Sequence, residues 1–260
     1  MSTHPATDGE TAFDPRRHVP APAELAGRII AITGASDGIG RAVARACALH
    51  GATVVLVGRS QRKLETVQEQ IETARPGSTT VAVLDLERAL AGDYDRLAAA
   101  VHERFGRLDG LLHNAGILGT LTPIEHYDVP TWCRVLHVNL TAAFALTQVL
   151  LPALKRSKDA RILYTSSGVG RRGKAYWGAY AVSKFGVEGL AQVLAAELSD
   201  ITAIRVNTIN PGPTRTRMRA QAYPAENPAK LRDPDSLTAP YVALLGPASR
   251  TVTGGSFDAQ

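Results

Sequence analysis

The sequence predicts one doubly wound α/β domain, a parallel sheet of about seven strands with helices on both faces. Three observations carry that expectation. Short β-branched runs alternate with longer amphipathic ones from Arg28 onward. A glycine-rich turn follows the first run and leads straight into the first helical stretch. No linker-like change of composition interrupts the chain after Leu25, so the alternation belongs to a single unit.

Residues 28–33 (RIIAIT) are apolar and β-branched and read as the first strand, with a helix over residues 39–50 behind it. Residues 53–57 (TVVLV) give the second strand, and helical periodicity follows over 61–73. Strands over 79–84 and 108–113 are each followed by a helix, over 94–105 and 132–155. A strand over 161–165, a helix over 180–199 and a strand over 204–209 complete the series. Strands joined by helices pair in parallel, and right-handed crossovers favour a Rossmann-like order. Ligands of such sheets lie beyond the carboxyl ends of the strands, so the residues just after each strand are the candidates.

Residues 1–24 differ in character. Rich in Pro, Thr, Asp, Arg and Ala without an apolar run, they predict a disordered or surface-draped extension ahead of a domain at 25–260. Arg16-Arg17 precedes Val19-Pro20-Ala21-Pro22 and no apolar stretch, which argues against twin-arginine export. No run reaches the roughly 18 apolar residues of a bilayer span, so a cytoplasmic protein without a membrane partner is expected. Cys47 and Cys133 are too few for a disulfide framework, and both are expected as buried reduced thiols. The net charge of +5 is a small excess without aromatic-interleaved basic runs. Nucleic acid is therefore not expected as a partner, and an anionic cofactor accounts for part of the surplus.

The residues after the strands carry the chemistry. The turn Gly34-Ala35-Ser36-Asp37-Gly38-Ile39-Gly40 suits close approach of a pyrophosphate to a helix N-terminus. After the second strand, Gly58 stands where an NAD site would carry an acid, and Arg59 can meet a 2′-phosphate; NADP(H) is preferred over NAD(H) on this basis. Asp37 weakens that preference by standing near the same place. Asp85-Leu86 offers a carboxylate to an adenine amino group, or equally a helix cap. Asn114-Ala115-Gly116 suits packing beneath a dinucleotide, or a plain turn. Tyr180 and Lys184 share a helix face, where an ammonium and the helix N-terminus would lower the phenol pKa. Ser167 precedes them in the loop, with Ser166 as the alternative hydroxyl. No metal site is called for.

Taken together and in order, these motifs, with Asn139 and Pro211-Gly212, resemble the short-chain dehydrogenase/reductase superfamily over residues 25–258. Trp177-Gly178-Ala179-Tyr180, the run from Asn210 to Thr216, and Phe257-Asp258-Ala259-Gln260 are similar to its bacterial YciK-like subgroup. The resemblance implies a hydride transfer between NADP(H) and a carbonyl or alcohol carbon. It implies Tyr180 as general acid or base, Lys184 on the nicotinamide ribose, Ser167 on the substrate oxygen and Asn139 anchoring a relay water. Thr216 and the backbone after Pro211-Gly212 would hold the carboxamide, Thr214 would also contact the cofactor, and a homodimer or homotetramer is implied. The last eight residues depart from the Val-Asp-Gly-Gly ending common in the superfamily, which bears on assembly.

Arg171, Arg172 and Lys174 lie between Ser167 and Tyr180, and Arg215, Arg217 and Arg219 alternate beyond Pro213. Six cations ringing one entrance would favour an anionic small-molecule substrate; a solvated basic rim is the plainer alternative. Rivals to the oxidoreductase are an NADP(H) sensor without turnover and a redox-neutral epimerase or dehydratase. Retention of the whole Ser-Tyr-Lys set counts against the first of these.

Overall fold

The computed structural model of the chain describes residues 13–260. Its seven strands are β1 (Ile29–Thr33), β2 (Thr53–Gly58), β3 (Thr79–Val83), β4 (Gly110–His113), β5 (Arg161–Thr165), β6 (Arg205–Asn210) and β7 (Ser256–Asp258). They form one sheet in the order β3-β2-β1-β4-β5-β6-β7, with every neighbouring pair parallel. The order reverses between β1 and β4, which opens a crevice at their carboxyl ends. The doubly wound expectation holds.

Period-two alternation assigns the strand side chains to two cores. Ile30 and Ile32 face α1 (Gly38–Leu49), α2 (Gln61–Ala74) and α8 (Thr238–Leu245), while Ile29 and Ala31 face the opposite layer. That layer contains α3 (Ala91–Phe105), α5 (Ala142–Lys155) and α6 (Gly178–Leu198). The stripe Leu64, Val67 and Ile71 shows how α2 meets the sheet, one side chain per turn.

The helix predicted as continuous over 132–155 runs without a break from Val129 to Lys155, with a π turn inside it. It begins as α4 (Val129–Leu136), capped by the Asp128 carboxylate on Thr131 N at 2.8 Å. One π turn (His137–Thr141) then leads into α5. By length and composition the stretch Val129–Lys155 would suffice to cross a membrane, 18 residues within it reaching a mean hydropathy of 1.5, which corrects the expectation that no such run exists. Its apolar content has another use here, because Ala142, Leu146, Leu150 and Leu154 are buried against the sheet.

Residues 13–24 lie against the domain. Phe13 meets Phe257 edge-on at 5.8 Å, Asp14 caps a 3-10 turn (Pro15–Arg17), and His18 lies 2.8 Å from Glu24. The rest of the predicted extension, residues 1–12, falls outside the described residues. Cys47 is buried, which pushes its thiol up to about 12; Cys133, expected to be buried, is exposed on the outer face of α4.

Candidate active site

A cleft of about 910 Å³ runs along the carboxyl ends of the strands, a size suited to a dinucleotide with a small substrate. At one end the turn after β1 brings Gly34, Ser36, Asp37, Gly38 and Ile39 to its wall. Gly34 and Gly38 take φ of 66° and 52°, values that side chains resist. Gly40 does not line the cleft; a Cβ there would lie 2.3 Å from the Gly34 carbonyl oxygen, so its role is close packing of α1 on the turn. Asp37 is already engaged. It accepts from Gly38 N at 2.8 Å and pairs with Arg217. Partial burial pulls its pKa upward, but the Arg217 guanidinium and the Gly38 N–H outweigh this and hold the carboxyl below the usual range.

Past β2, Arg59 is exposed on the cleft wall, joined by Ser60 and Lys63, which the motif search missed. Lys63 sits one helical turn after Arg59, and that spacing was the available signal. Ser60 occupies the N-cap of α2 without a side-chain cap bond, leaving its hydroxyl for another acceptor or donor. Asp85 and Leu86 also line the wall, with one Asp85 oxygen accepting from Glu87 N at 3.1 Å. Asn114, Ala115 and Gly116 form the floor. The Thr33 hydroxyl accepts from both Asn114 N and Ala115 N, at 3.0 and 3.1 Å, and stitches that floor to β1.

Tyr180 is the third residue of α6, and Ser167, near the start of the loop from β5, lies beside its phenol. Ser166 is instead buried with an unpartnered hydroxyl, so geometry separates the two candidate serines. Lys184 is 4% exposed, donates to the Thr165 carbonyl at 2.8 Å, and places its ammonium 5.7 Å from the Tyr180 ring centre. The expected lowering of the phenol pKa does not dominate. Burial pushes Tyr180 up to about 12, partly offset by Ser167. Burial also brings Lys184 down to about 8, opposed by the Glu188 carboxylate one turn further on. Burial penalises the charged form of each group, yet at about 8 Lys184 remains an ammonium at neutral pH, and Tyr180 a neutral phenol.

Asn139 lies in the π turn, buried behind Gly116 and not itself on the cleft wall. Its Oδ1 accepts from Ile117 N at 2.8 Å, and its Nδ2 donates to Ile117 O at 2.9 Å and Ser183 Oγ at 3.0 Å. The side chain thus clamps the loop after β4 onto α6. Pro211, Gly212, Thr214 and Thr216 all line the cleft beyond β6. The Thr216 hydroxyl caps α7 (Arg217–Ala222) by accepting from Arg219 N at 3.2 Å.

The six basic residues do not ring one entrance. Arg171 bonds Glu188 and Asp258 at 3.2 and 2.9 Å, Arg219 holds Glu226 at 2.6 Å, and Arg215 and Arg217 pair with Asp233 and Asp37. Asp258 and Asp37 lie 87 and 180 residues from their arginines, while Glu188, Asp233 and Glu226 are 17, 18 and 7 residues away; all five stand outside the two basic stretches. Only Lys174, Arg217 and Arg219 reach the cleft. Beyond Tyr180 stands an apolar wall of Leu118, Val169, Trp177, Met218, Ala222 and Tyr223, which no sequence motif marks.

A dinucleotide fits these residues: left-handed glycines at a helix N-terminus, cations at the tip of β2, and a buried lysine near Gly116. Comparison with known proteins agrees. The profile of the short chain dehydrogenase family matches residues 28–227. The uncharacterized oxidoreductase YciK of Escherichia coli K12 is 47% identical over 233 residues, covering 90% of this chain and 92% of that one. A short chain dehydrogenase structure from Pseudomonas syringae superposes with a TM-score of 0.93 at 52% identity, over 95% of this chain and 99% of the other. Another, from Escherichia coli CFT073 in complex with NADPH, gives 0.90 at 47% identity over 93% and 100%. The chain belongs to the short chain dehydrogenase family and is an oxidoreductase of it.

Proposed function

We propose that this chain is an NADP(H)-dependent carbonyl reductase or alcohol dehydrogenase in which Tyr180 is the general acid or base. The observation that carries this is one wall on which the Ser167 and Tyr180 hydroxyls and the Lys184 ammonium converge, with Arg59 and Lys63 at the far end of the same cleft. When bound, NADP(H) supplies or accepts the hydride. Gly34 and Gly38 let the backbone approach the pyrophosphate, Arg59 and Lys63 meet a 2′-phosphate, and Lys184 faces the nicotinamide ribose.

In the direction of reduction, the Ser167 hydroxyl donates to the substrate oxygen and orients it. The Tyr180 phenol gives its proton to that oxygen as the carbonyl carbon gains the hydride, and the product is an alcohol. The Lys184 ammonium stabilises the phenolate left behind, which regains a proton from solvent. Burial raises the Tyr180 pKa, and the Lys184 ammonium, 5.7 Å from the ring centre, is the nearby positive charge that favours the phenolate. In oxidation the phenolate removes the alcohol proton by the reverse path.

The test is NADPH oxidation against a panel of ketones and aldehydes. Tyr180→Phe should fold and bind NADPH but lose at least about a hundredfold in kcat, the usual scale for general acid-base catalysis. Near wild-type turnover by that variant would rule out Tyr180 as proton donor. We place the enzyme in the cytoplasm as a homodimer or homotetramer, without nucleic acid or membrane partners. Phe144 on α5 and Val182, Phe185 and Val193 on α6 are exposed apolar side chains suited to a second copy. A monomer mass in light scattering would overturn the assembly.

A further inference from the structure

Beyond Tyr180 the cleft changes character. Three rings stand in series along it, Tyr180, Trp177 and Tyr223, with centres 5.7 and 5.9 Å apart. Leu118, Val169 and Met218 complete a surface that offers apolar contact and few hydrogen-bonding groups. The backbone around Trp177 is held in a strained form. Tyr176 takes φ of 73° although it carries a side chain, and Gly178 takes 24°. A hydrogen bond of 3.1 Å from Thr122 N to Tyr176 O ties that bend to the loop after β4. Strain of this kind fixes the indole against the cleft.

One cation stands out at the end of this surface. Arg171, Arg215, Arg217 and Arg219 are each matched by a carboxylate. Lys174 lines the cleft without one among the described residues. Its ammonium donates to the Tyr223 hydroxyl at 2.7 Å and lies 5.6 and 5.1 Å from the Trp177 and Tyr223 ring centres. Fixing a lysine side chain costs rotamer entropy, and here no opposite charge compensates it. Tyr223 takes one of the three N–H donors, which leaves two for a ligand. Lys174 is exposed at the rim of the cleft, and a single ammonium there, beside two aromatic rings, matches one carboxylate better than a phosphate, which calls for several donors.

Resting on the assignment of this cleft to carbonyl reduction, we propose that the substrate has an apolar ring or chain lying along Trp177 and Tyr223, and a carboxylate that pairs with Lys174. The carbonyl then sits at Tyr180 and Ser167, at the opposite end of the substrate. The anionic preference rests on one residue, not six. Lys174 has one competing role, as a latch joining the 172–177 loop to the segment after α7 through Tyr223. A latch would affect charged and neutral ligands alike.

The experiment compares 4-acetylbenzoate with the neutral 4-acetylbenzamide. Binding of each to the enzyme–NADP+ complex, where no turnover occurs, is followed by calorimetry and by tryptophan fluorescence. The carboxylate should bind about fivefold or more tightly than the amide at low ionic strength, with the ratio shrinking as salt is added. Lys174→Gln should bring the ratio close to one, and Lys174→Arg should preserve it. A ratio near one in the wild type, an equal loss for both ligands in Lys174→Gln, or no binding of the carboxylate at millimolar concentration would each overturn the proposal. Turnover with NADPH is then measured separately. A carboxylate preference without reduction of either ketone would remove the proposed reaction and leave the anion site at Lys174 standing.

Discussion

Arg59 is exposed at the tip of β2, where Gly58 contributes no acid and Ser60 leaves its hydroxyl free at the start of α2. A 2′-phosphate placed there meets two cations, Arg59 and Lys63, and the positive end of a helix. A bare ribose hydroxyl would gain little from either cation. Asp37, which threatened this assignment in the sequence, is tied to Arg217 and to the first turn of α1. NADPH should therefore bind more tightly than NADH, and Arg59→Ala should narrow the gap by about tenfold, as expected for a charge-assisted bond with Lys63 still in place. Fluorescence titration with both cofactors checks this. Equal dissociation constants in the wild type would remove the case for NADP specificity.

The relation between the loop after β5 and helix α6 positions Ser167 against Tyr180. Gly170, in a 3-10 turn (Gly168–Gly170), sets how close they come: a Cβ there would lie 2.7 Å from the Lys184 Cβ and 2.9 Å from its carbonyl carbon. Backbone on a 21-residue helix cannot give way as a flexible side chain would. Gly170→Ala should cost about 1–3 kcal/mol, the range for overpacking, and should lower kcat by moving Ser167. A urea midpoint equal to wild type would show that the contact is not limiting. The same elements show what the sequence made legible. Six strands and the helices behind them were readable because each buries a face with its own period, and the residues at their carboxyl ends gave most of the cleft. Helix α8 was hidden because it is buried and apolar nearly all round, so it has no periodic face. The π turn leaves no mark in the apolar pattern, yet Asn139 lies within it. The charges on the basic loops were misjudged because pairing is tertiary: Arg217 and Asp37 are 180 residues apart.

Stability of the whole molecule in mild acid should be governed largely by one buried group. His113 ends β4, stacks on Tyr164 at 4.7 Å with 12° between the rings, and sets Nε2 2.8 Å from the Thr147 hydroxyl. That hydroxyl donates to Ala143 O at 2.8 Å, so the remaining contacts, from Tyr164 OH and His113, reach it as an acceptor. The imidazole therefore carries a proton on Nε2. Burial first, and then the Lys184 ammonium, hold its pKa down to about 3 against an ordinary value of 6.5. Between those values the unfolded chain binds a proton that the folded chain does not, so stability falls as pH drops through this window. Above pH 6.5 the contribution is complete, and below pH 3 no more of it is lost. The slope should approach about 1.4 kcal/mol per pH unit below pH 6. Carboxylates held low by arginines, such as Asp159, add their losses only nearer their ordinary value of 3.8, so the interval from pH 6.5 to 5 belongs mainly to the histidine. Urea unfolding across that interval measures the slope, and His113→Gln should flatten it even where it lowers stability at neutral pH. A wild-type protein equally stable at pH 6.5 and 5 would mean that His113 takes up a proton within the fold.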